Sequence, residues 1–341
     1  MMPRVRRAFA SAATACLLLA ATGCQSGTTG VPPAEFFSKK TIEFVVPYGP
    51  GGGYDLYVRD IAPYLARCTH GDVTVINEAG AGGLLATSQT AVADPDGLRV
   101  QIVNTVGAVS AELGEAEGLN FELSELSWLA RVSSEANVVV VAADSKFRTF
   151  DDLRNAPKPV KFVSTGPGSN DYVNPPLLSR IFDFPVEVIT GFSGSGEART
   201  AYLRGDADAQ VLPLTSVISA IRAGEIRPLL TIGKAEDALF ANVPKAGELP
   251  LRTEEQRRIL SALLDLVATS RTVVAPPHMD PARLQSLREA FRCALTNSEL
   301  VARSTKQRRP IEFLPGEDTG RTVNSLLHSD PAFRAVLRES A

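Results

Sequence analysis

The sequence predicts an α/β fold with mainly parallel sheets, and three observations carry the prediction. Short apolar runs rich in β-branched residues alternate with longer runs of helical period between residues 42 and 327. Glycine, serine and asparagine cluster after several of the apolar runs, where open α/β sheets carry their ligands. No segment repeats at a fixed period.

Taken in order, the first apolar run, Ile42–Val46, has the length and side chains of a buried strand. Pro47 to Asp55 then reads Pro-Tyr-Gly-Pro-Gly-Gly-Gly-Tyr-Asp. A helical pattern follows, with Tyr57, Ile61, Tyr64, Leu65 and Cys68 on one face and Pro63 as an expected kink. Further strands are expected at Asp72–Asn77, Arg99–Asn104, Asn137–Ala142, Val160–Thr165, Val186–Thr190, Ala207–Leu212, Ile226–Ile232, Arg271–Ala275 and Ile311–Leu314. Helices are expected near Gly83–Val92, Asn174–Phe182, Glu197–Arg204, Thr215–Arg222, Glu254–Leu266, Asp280–Leu295, Glu299–Lys306 and Glu317–Leu327. Asp280-Pro281 suits a helix start, with Asp as cap and Pro in the first turn.

The N-terminus speaks for export. Arg4, Arg6 and Arg7 precede an apolar stretch from Ala8 to Ala21, which is shorter than the ~20 residues of a bilayer span. It ends in Ala21-Thr22-Gly23-Cys24, which resembles the lipobox of bacterial lipoproteins, with alanine where leucine is usual. That resemblance implies cleavage after residue 23 and a lipid on Cys24, placing the protein outside the cytoplasm on a bacterial membrane. Ordinary signal cleavage beside an incidental cysteine is the alternative. Residues 24–39 have the Ser, Gly, Thr and Pro content of a flexible tether.

Removing residues 1–23 takes three arginines and no acid from a chain of formal charge −3. The remainder is acidic and has no basic run, which argues against a nucleic-acid partner. Its length allows two domains with real cores. Cys68 and Cys293 remain, outside the reducing cytosol and without metal-like spacing. They either pair across a very long loop or stay as two buried thiols.

Four glycine-bearing stretches follow expected strands: Tyr48–Gly53, Gly80–Gly83, Gly166–Asn170 and Gly191–Gly196. A glycine turn between strand and helix bares N–H groups at the positive end of a helix dipole, a place for a carboxylate or phosphate. Gly49, Gly51, Gly52 and Gly53 let a backbone approach such a group without a Cβ in the way. Asp55 sits at the helix start, where it stabilises the helix unaided, and Arg59 pairs with it at i,i+4. For an anionic solute a scaffold role for that pair is the better reading; for a cationic group Asp55 is a ligand. Asn104, Thr105, Thr165, Ser169 and Asn170 offer directed hydrogen bonds, or cap loops. Tyr48 either flanks a solute or packs an interface.

Together these loops resemble the solute receptors of tripartite tricarboxylate transporters, the Bug receptors, over roughly residues 40 to 335. The family pattern Pro-aromatic-x-x-Gly-Gly-x-x-Asp-x-x-x-Arg is met by Pro47, Tyr48, Gly51, Gly52, Asp55 and Arg59. Its Val-x-Asn-x-x-Gly-Ala-x-Gly is met by Val75, Asn77, Gly80, Ala81 and Gly83, and its Pro-Asp-Gly by Pro95, Asp96 and Gly97. Gly166-Pro-Gly-Ser169, Gly205-Asp206 with Asp208, Ala223-Gly224, Val243-Pro244 and Ala275-Pro276 are weaker echoes. The chain departs where the family has Pro-Tyr-Lys-Gly, here Gly191-Phe192-Ser193-Gly194, and where it often has Asp-Asn, here Leu212-Pro213-Leu214. Both departures bear on ligand choice, and the stretch Glu254–Leu266 departs from the familiar layout.

The resemblance implies a two-domain periplasmic-binding-protein type II fold, each domain a mainly parallel sheet flanked by helices, with a two-crossover hinge. Domain 1 would be 40–140 plus 270–341 and domain 2 would be 141–269. It implies a monomer that binds a small carboxylate reversibly, without cofactor or metal, and delivers it to large and small membrane permease subunits. The expected contacts are Tyr48, Gly49, Pro50, Gly51, Gly52, Gly53, Asp55, Ala81, Gly82, Gly83, Asn104, Thr105, Thr165, Gly168, Ser169, Asn170, Phe192 and Asp208. A sensor subunit for a membrane signalling partner is the alternative.

Catalysis finds little support. GxGxxG fails, because Tyr54 and Leu85 stand where its last glycine belongs; GxxxxGK[ST] is absent; and Gly191-Phe-Ser193-Gly-Ser195 misses the nucleophile elbow GxSxG. His70, His278 and His328 are scattered and form no zinc motif.

Overall fold

The alternating apolar runs fold into two sheets flanked by helices. In a computed structural model that describes residues 33–340, the strands are β1 (Thr41–Val46), β2 (Asp72–Asn77), β3 (Arg99–Asn104), β4 (Ser127–Ser133), β5 (Asn137–Ala142), β6 (Val160–Val163), β7 (Val186–Ile189), β8 (Ala209–Pro213), β9 (Ile226–Ile232), β10 (Arg271–Ala275) and β11 (Leu314–Pro315). The helices are α1 (Pro33–Phe36), α2 (Gly53–Thr69), α3 (Leu84–Ala91), α4 (Thr105–Leu113), α5 (Phe150–Arg154), α6 (Asn170–Phe182), α7 (Ser195–Leu203), α8 (Leu214–Arg222), α9 (Glu254–Val267), α10 (Pro281–Leu295), α11 (Ser298–Lys306), α12 (Gly316–Leu327) and α13 (Pro331–Ser340). The signal segment, Cys24 and the tether up to residue 32 lie outside the described residues.

One sheet has the order β11-β4-β10-β3-β1-β2, the other β7-β6-β8-β5-β9. The chain leaves the first sheet after Ser133, enters the second at Asn137, and returns between Ile232 and Arg271. The α/β class holds, but the sheets are mixed rather than mainly parallel. Strand β1 is parallel to β2 and β3, and β6 to β7 and β8. Strand β10 is antiparallel to β3 and β4, β11 to β4, and β5 to β8 and β9. The strands that bound the two crossings, β4, β5, β9 and β10, all take part in antiparallel pairs. A strand buried on both faces, such as β5, is an apolar run whichever way it points.

Helices α1 and α5, and with them β4, α4 and α13, are absent from the elements expected from the sequence. Strand β4 mixes Ser, Trp and Arg. Helix α4 is buried at every residue but Glu112 and follows β3 without a turn, so it shows no amphipathic period. Its cap is Asn104, whose side chain accepts from the Gly107 N–H at 3.3 Å. Helix α13 closes the chain against α4, α6 and α9, so the C-terminal segment reaches helices of both sheets.

Helix α2 runs through Pro63 to Thr69 and buries Tyr57, Ile61, Tyr64 and Leu65 as its period requires. Cys68 and Cys293 form a disulfide that ties α2 to α10, with the two Cα atoms 6.1 Å apart. Asp280 caps α10 through the Arg283 N–H, with Pro281 in the first turn. The expected flexible tether does not extend over residues 33–39: α1 packs on α10 and Phe37 is buried in the core, because two adjacent phenylalanines give this stretch an apolar anchor.

The two crossings are fastened to each other. Arg271, fully buried at the start of β10, pairs with buried Glu135 from the segment between β4 and β5. The guanidinium lies 4.4 Å from the Tyr54 ring centre and 4.9 Å from that of Tyr57, and donates to Ser216 Oγ at 3.1 Å. Glu135 also accepts from the Thr215 N–H at 2.7 Å, where its charge faces the positive end of α8.

Candidate functional site

Where five strands end, the loops enclose a cavity of about 290 Å³. Its wall is built from residues 48–54 after β1, Asn104 at the end of β3, Thr165 and residues 169–171 after β6, residues 193–197 with Arg199 and Tyr202 after β7, and Gln210, residues 212–213 and residues 216–217 around the end of β8. Helices α2, α4, α6, α7 and α8 begin at this wall or one residue from it. Their N-terminal N–H groups and dipoles give the space a positive lining.

Ten of the expected contact residues are in this wall: Tyr48, Gly49, Pro50, Gly51, Gly52, Gly53, Asn104, Thr165, Ser169 and Asn170. The others are elsewhere. Ala81, Gly82, Gly83 and Gly168 form a contact between the segments of the two sheets, with Gly82 N–H donating to Thr165 O at 3.0 Å and Gly168 N–H to Ala81 O at 3.2 Å. Gly82 has φ 65°, and a Cβ there would meet Gly166 O at 2.4 Å, so only glycine allows this approach. Thr105 bonds Thr272 at the second crossing, Oγ1 to Oγ1 at 2.8 Å. Phe192 packs on the apolar cluster beneath α7. Asp208 accepts from the Lys161 N–H at 3.0 Å and lies 3.7 Å from Lys146, a strand-end cap away from the cavity.

The main-chain donors divide in the same way. Gly49 N–H donates to Ser193 O at 3.2 Å and Gly51 N–H to Asp55 Oδ2 at 2.9 Å. The Gly53 and Tyr54 N–H groups belong to the first turn of α2 and have no intrahelical acceptor.

Asp55 lies outside the wall and holds the loop. Its carboxylate accepts from Gly51 N–H, from Arg59 Nε at 2.9 Å and from Asn77 Nδ2 at 3.0 Å. Asn77 also donates to Tyr48 O at 2.9 Å and accepts from Arg59 Nη2 at 3.0 Å. Two motifs apart in sequence thus close one network around the glycine turn. Burial pushes the Asp55 carboxyl up, but its bonds to Arg59, Gly51 and Asn77 outweigh that and hold it below the ordinary carboxylate value. The stabilisation is therefore present above the unfolded pKa near ~4 and is lost as pH falls through the folded value. Asp55→Asn should lower stability by about 1–3 kcal/mol at pH 7, and the gap from wild type in urea titrations should narrow as pH drops below ~4. A pH-independent gap would remove the charge from the explanation.

Sequence reasoning missed several wall residues. Asp171 is fully buried in the first turn of α6 and accepts from Ser164 Oγ, Thr165 N–H and Oγ1, Ser169 Oγ and Gln210 Nε2. Burial pushes its carboxyl above the ordinary value despite these donors. Tyr54 and Tyr202 line the cavity with buried hydroxyls that have no hydrogen-bond partner among the described residues, and the buried amide oxygens Asn170 Oδ1 and Gln210 Oε1 have none there either. Burial pushes the Tyr54 phenol up to about 12, against the pull of Arg271, so it stays a donor at neutral pH. Arg199, part-buried on α7, is the wall's one cation and has no ion pair or hydrogen bond among the described residues. Ser195, Arg199 and Tyr202 stand four and three residues apart and so share one face of α7. Such a wall offers the Tyr54 and Tyr202 hydroxyls and the Arg199 guanidinium as donors and the two amide oxygens as acceptors, which suits a small polar anion that also carries a donor.

Comparison with known proteins agrees in fold and family. BugT of Bordetella pertussis is 27% identical over 240 residues, which cover 68% of this chain and 73% of BugT. MatC from Rhodopseudomonas palustris with bound malate superposes with a TM-score of 0.71 at 20% identity, covering 87% of this chain and 98% of MatC. A second R. palustris protein, solved with adipate, gives 0.71 at 18% identity and covers 88% of this chain and 97% of its own. The family model described as the tripartite tricarboxylate transporter family receptor matches residues 58–309, most of the folded chain, and the protein belongs to that family.

Proposed function

We propose that this protein is an extracytoplasmic receptor that binds a small carboxylate reversibly and hands it to a membrane permease. The observation that carries the reading is the cavity, where helix starts from both sheets converge with unpartnered polar groups. The solute carboxylate would sit at the first turn of α2, against the Gly53 and Tyr54 N–H groups, with ordered water completing its contacts. The chain's two crossings between sheets would form the hinge for closure, with domain 1 about the first sheet and domain 2 about the second. Malate and adipate in structural neighbours support a carboxylate as the class of solute. Cys24 would carry the lipid that keeps the receptor at the membrane.

A thermal-shift screen over mono-, di- and tricarboxylates, acidic amino acids, aromatic acids and phosphate tests the reading. A solute that binds only the folded state at a hundred times its Kd stabilises it by about 2.7 kcal/mol. At least one carboxylate should raise the melting temperature, and a blank panel would count against solute capture. Gly52→Trp should abolish the shift, since Gly52 lines the cavity and a Cβ there already lies 3.5 Å from Ser195 Oγ. An undiminished shift would move the solute away from this loop.

A further inference from the structure

We infer that the face of α7 bearing Ser195, Arg199 and Tyr202 receives a second anionic group of the solute, so that this receptor selects dicarboxylates over monocarboxylates of the same chain length, with Arg199 as the specificity-determining residue. The inference rests on the receptor reading above and goes further by assigning the two ends of the solute to different walls.

Three independent features lead to it. The first is charge. Of the ionisable groups in the wall, both acids are already engaged, Asp171 by its five donors and Glu197 by the Ser193 N–H at 2.8 Å and Ser193 Oγ at 2.6 Å. Arg199 is left without a counter-ion in a partly desolvated place. Its planar fork fits a carboxylate with two parallel bonds.

The second is an unmade bond. The Tyr202 hydroxyl is buried, three residues from Arg199 on the same face, and has no partner among the described residues. A buried hydroxyl without a partner is unusual and points to a group that arrives from outside.

The third is spacing. Ser195 stands beside the glycine loop, as its 3.5 Å distance from a Cβ position on Gly52 shows. Arg199 lies one helical turn on, about 6 Å along the axis, and Tyr202 about 10 Å along it. The first turn of α2 and the Arg199–Tyr202 pair are therefore two separate donor sets in one small cavity. A single acid group fills one of them, whereas a short diacid fills both.

Calorimetric titration of length-matched pairs tests this: succinate with butanoate, glutarate with pentanoate, and adipate with hexanoate. In at least one pair wild type should bind the diacid about 10- to 100-fold more tightly, the worth of one charge-assisted contact. Arg199→Ala should collapse that ratio to within about threefold of unity, Arg199→Lys should keep part of it, and Tyr202→Phe should lower it by a smaller factor. Circular dichroism and melting of each variant establish that it is folded. Equal affinities within every pair for wild type, or a ratio unchanged by Arg199→Ala, would overturn the role of Arg199 while leaving a carboxylate receptor. Wild type that binds none of these six acids, while the broader thermal-shift screen yields a ligand, would overturn this inference alone; a blank in both would overturn the receptor reading with it.

Discussion

Arg271→Ala should lower the unfolding free energy by about 3–5 kcal/mol. The pair it breaks is buried on both sides, with Arg271 wholly enclosed and Glu135 nearly so. Alanine leaves the Glu135 carboxylate without its cation, and also removes the stacking on Tyr54 and Tyr57 and the bond to Ser216. Neutralising both partners should cost less than neutralising one. Arg271→Met with Glu135→Gln keeps an acceptor for the Thr215 N–H and should recover at least half of the loss in urea titrations. If the double variant is as unstable as Arg271→Ala, the uncompensated charge is not the cause and packing around Tyr54 and Tyr57 is. Because the pair joins the two crossings, the single variant should also weaken solute binding, by loosening the positions of Tyr54 and Ser216 in the wall.

Cys68→Ser with Cys293→Ser should cost about 5 kcal/mol in the chain-entropy account. The bond closes a loop with a sequence separation of 225, and a longer loop confines more of the unfolded chain. It joins α2, whose first turn faces the cavity, to α10 of the C-terminal segment. Wild type treated with reductant should fall to the stability of the double variant, and the double variant should not respond to reductant. Equal stability of oxidised and reduced wild type would show that native strain or residual structure in the unfolded chain offsets the entropy.

Much of the fold was legible before any coordinates. Strands β1, β2, β3, β5, β9 and β10 fall on their apolar runs, and Asp280 caps α10 as expected. Helix α4 escaped because burial on all sides erases the period that marks a helix. Within the site, the glycine loop, Asn104 and the Thr165–Asn170 loop were legible, since small and polar residues after a strand have few other uses. Arg199 and Tyr202 were not, because α7 is short and its sequence does not say which of its faces meets a cavity.

The sequence by itself determined the α/β class, the turn at Gly49–Gly53 that opens α2, and the Asp55–Arg59 pair that braces it. These follow from periodicity, backbone freedom and pairing over short distances along the chain. Tertiary structure alone decided the strand directions, the Cys68–Cys293 pairing, the engagement of Ala81–Gly83 with the loop at Gly168, and the placing of Arg199 opposite α2. Each of those joins segments tens to hundreds of residues apart, and which contacts form is settled by the packing of the whole chain rather than by any local preference.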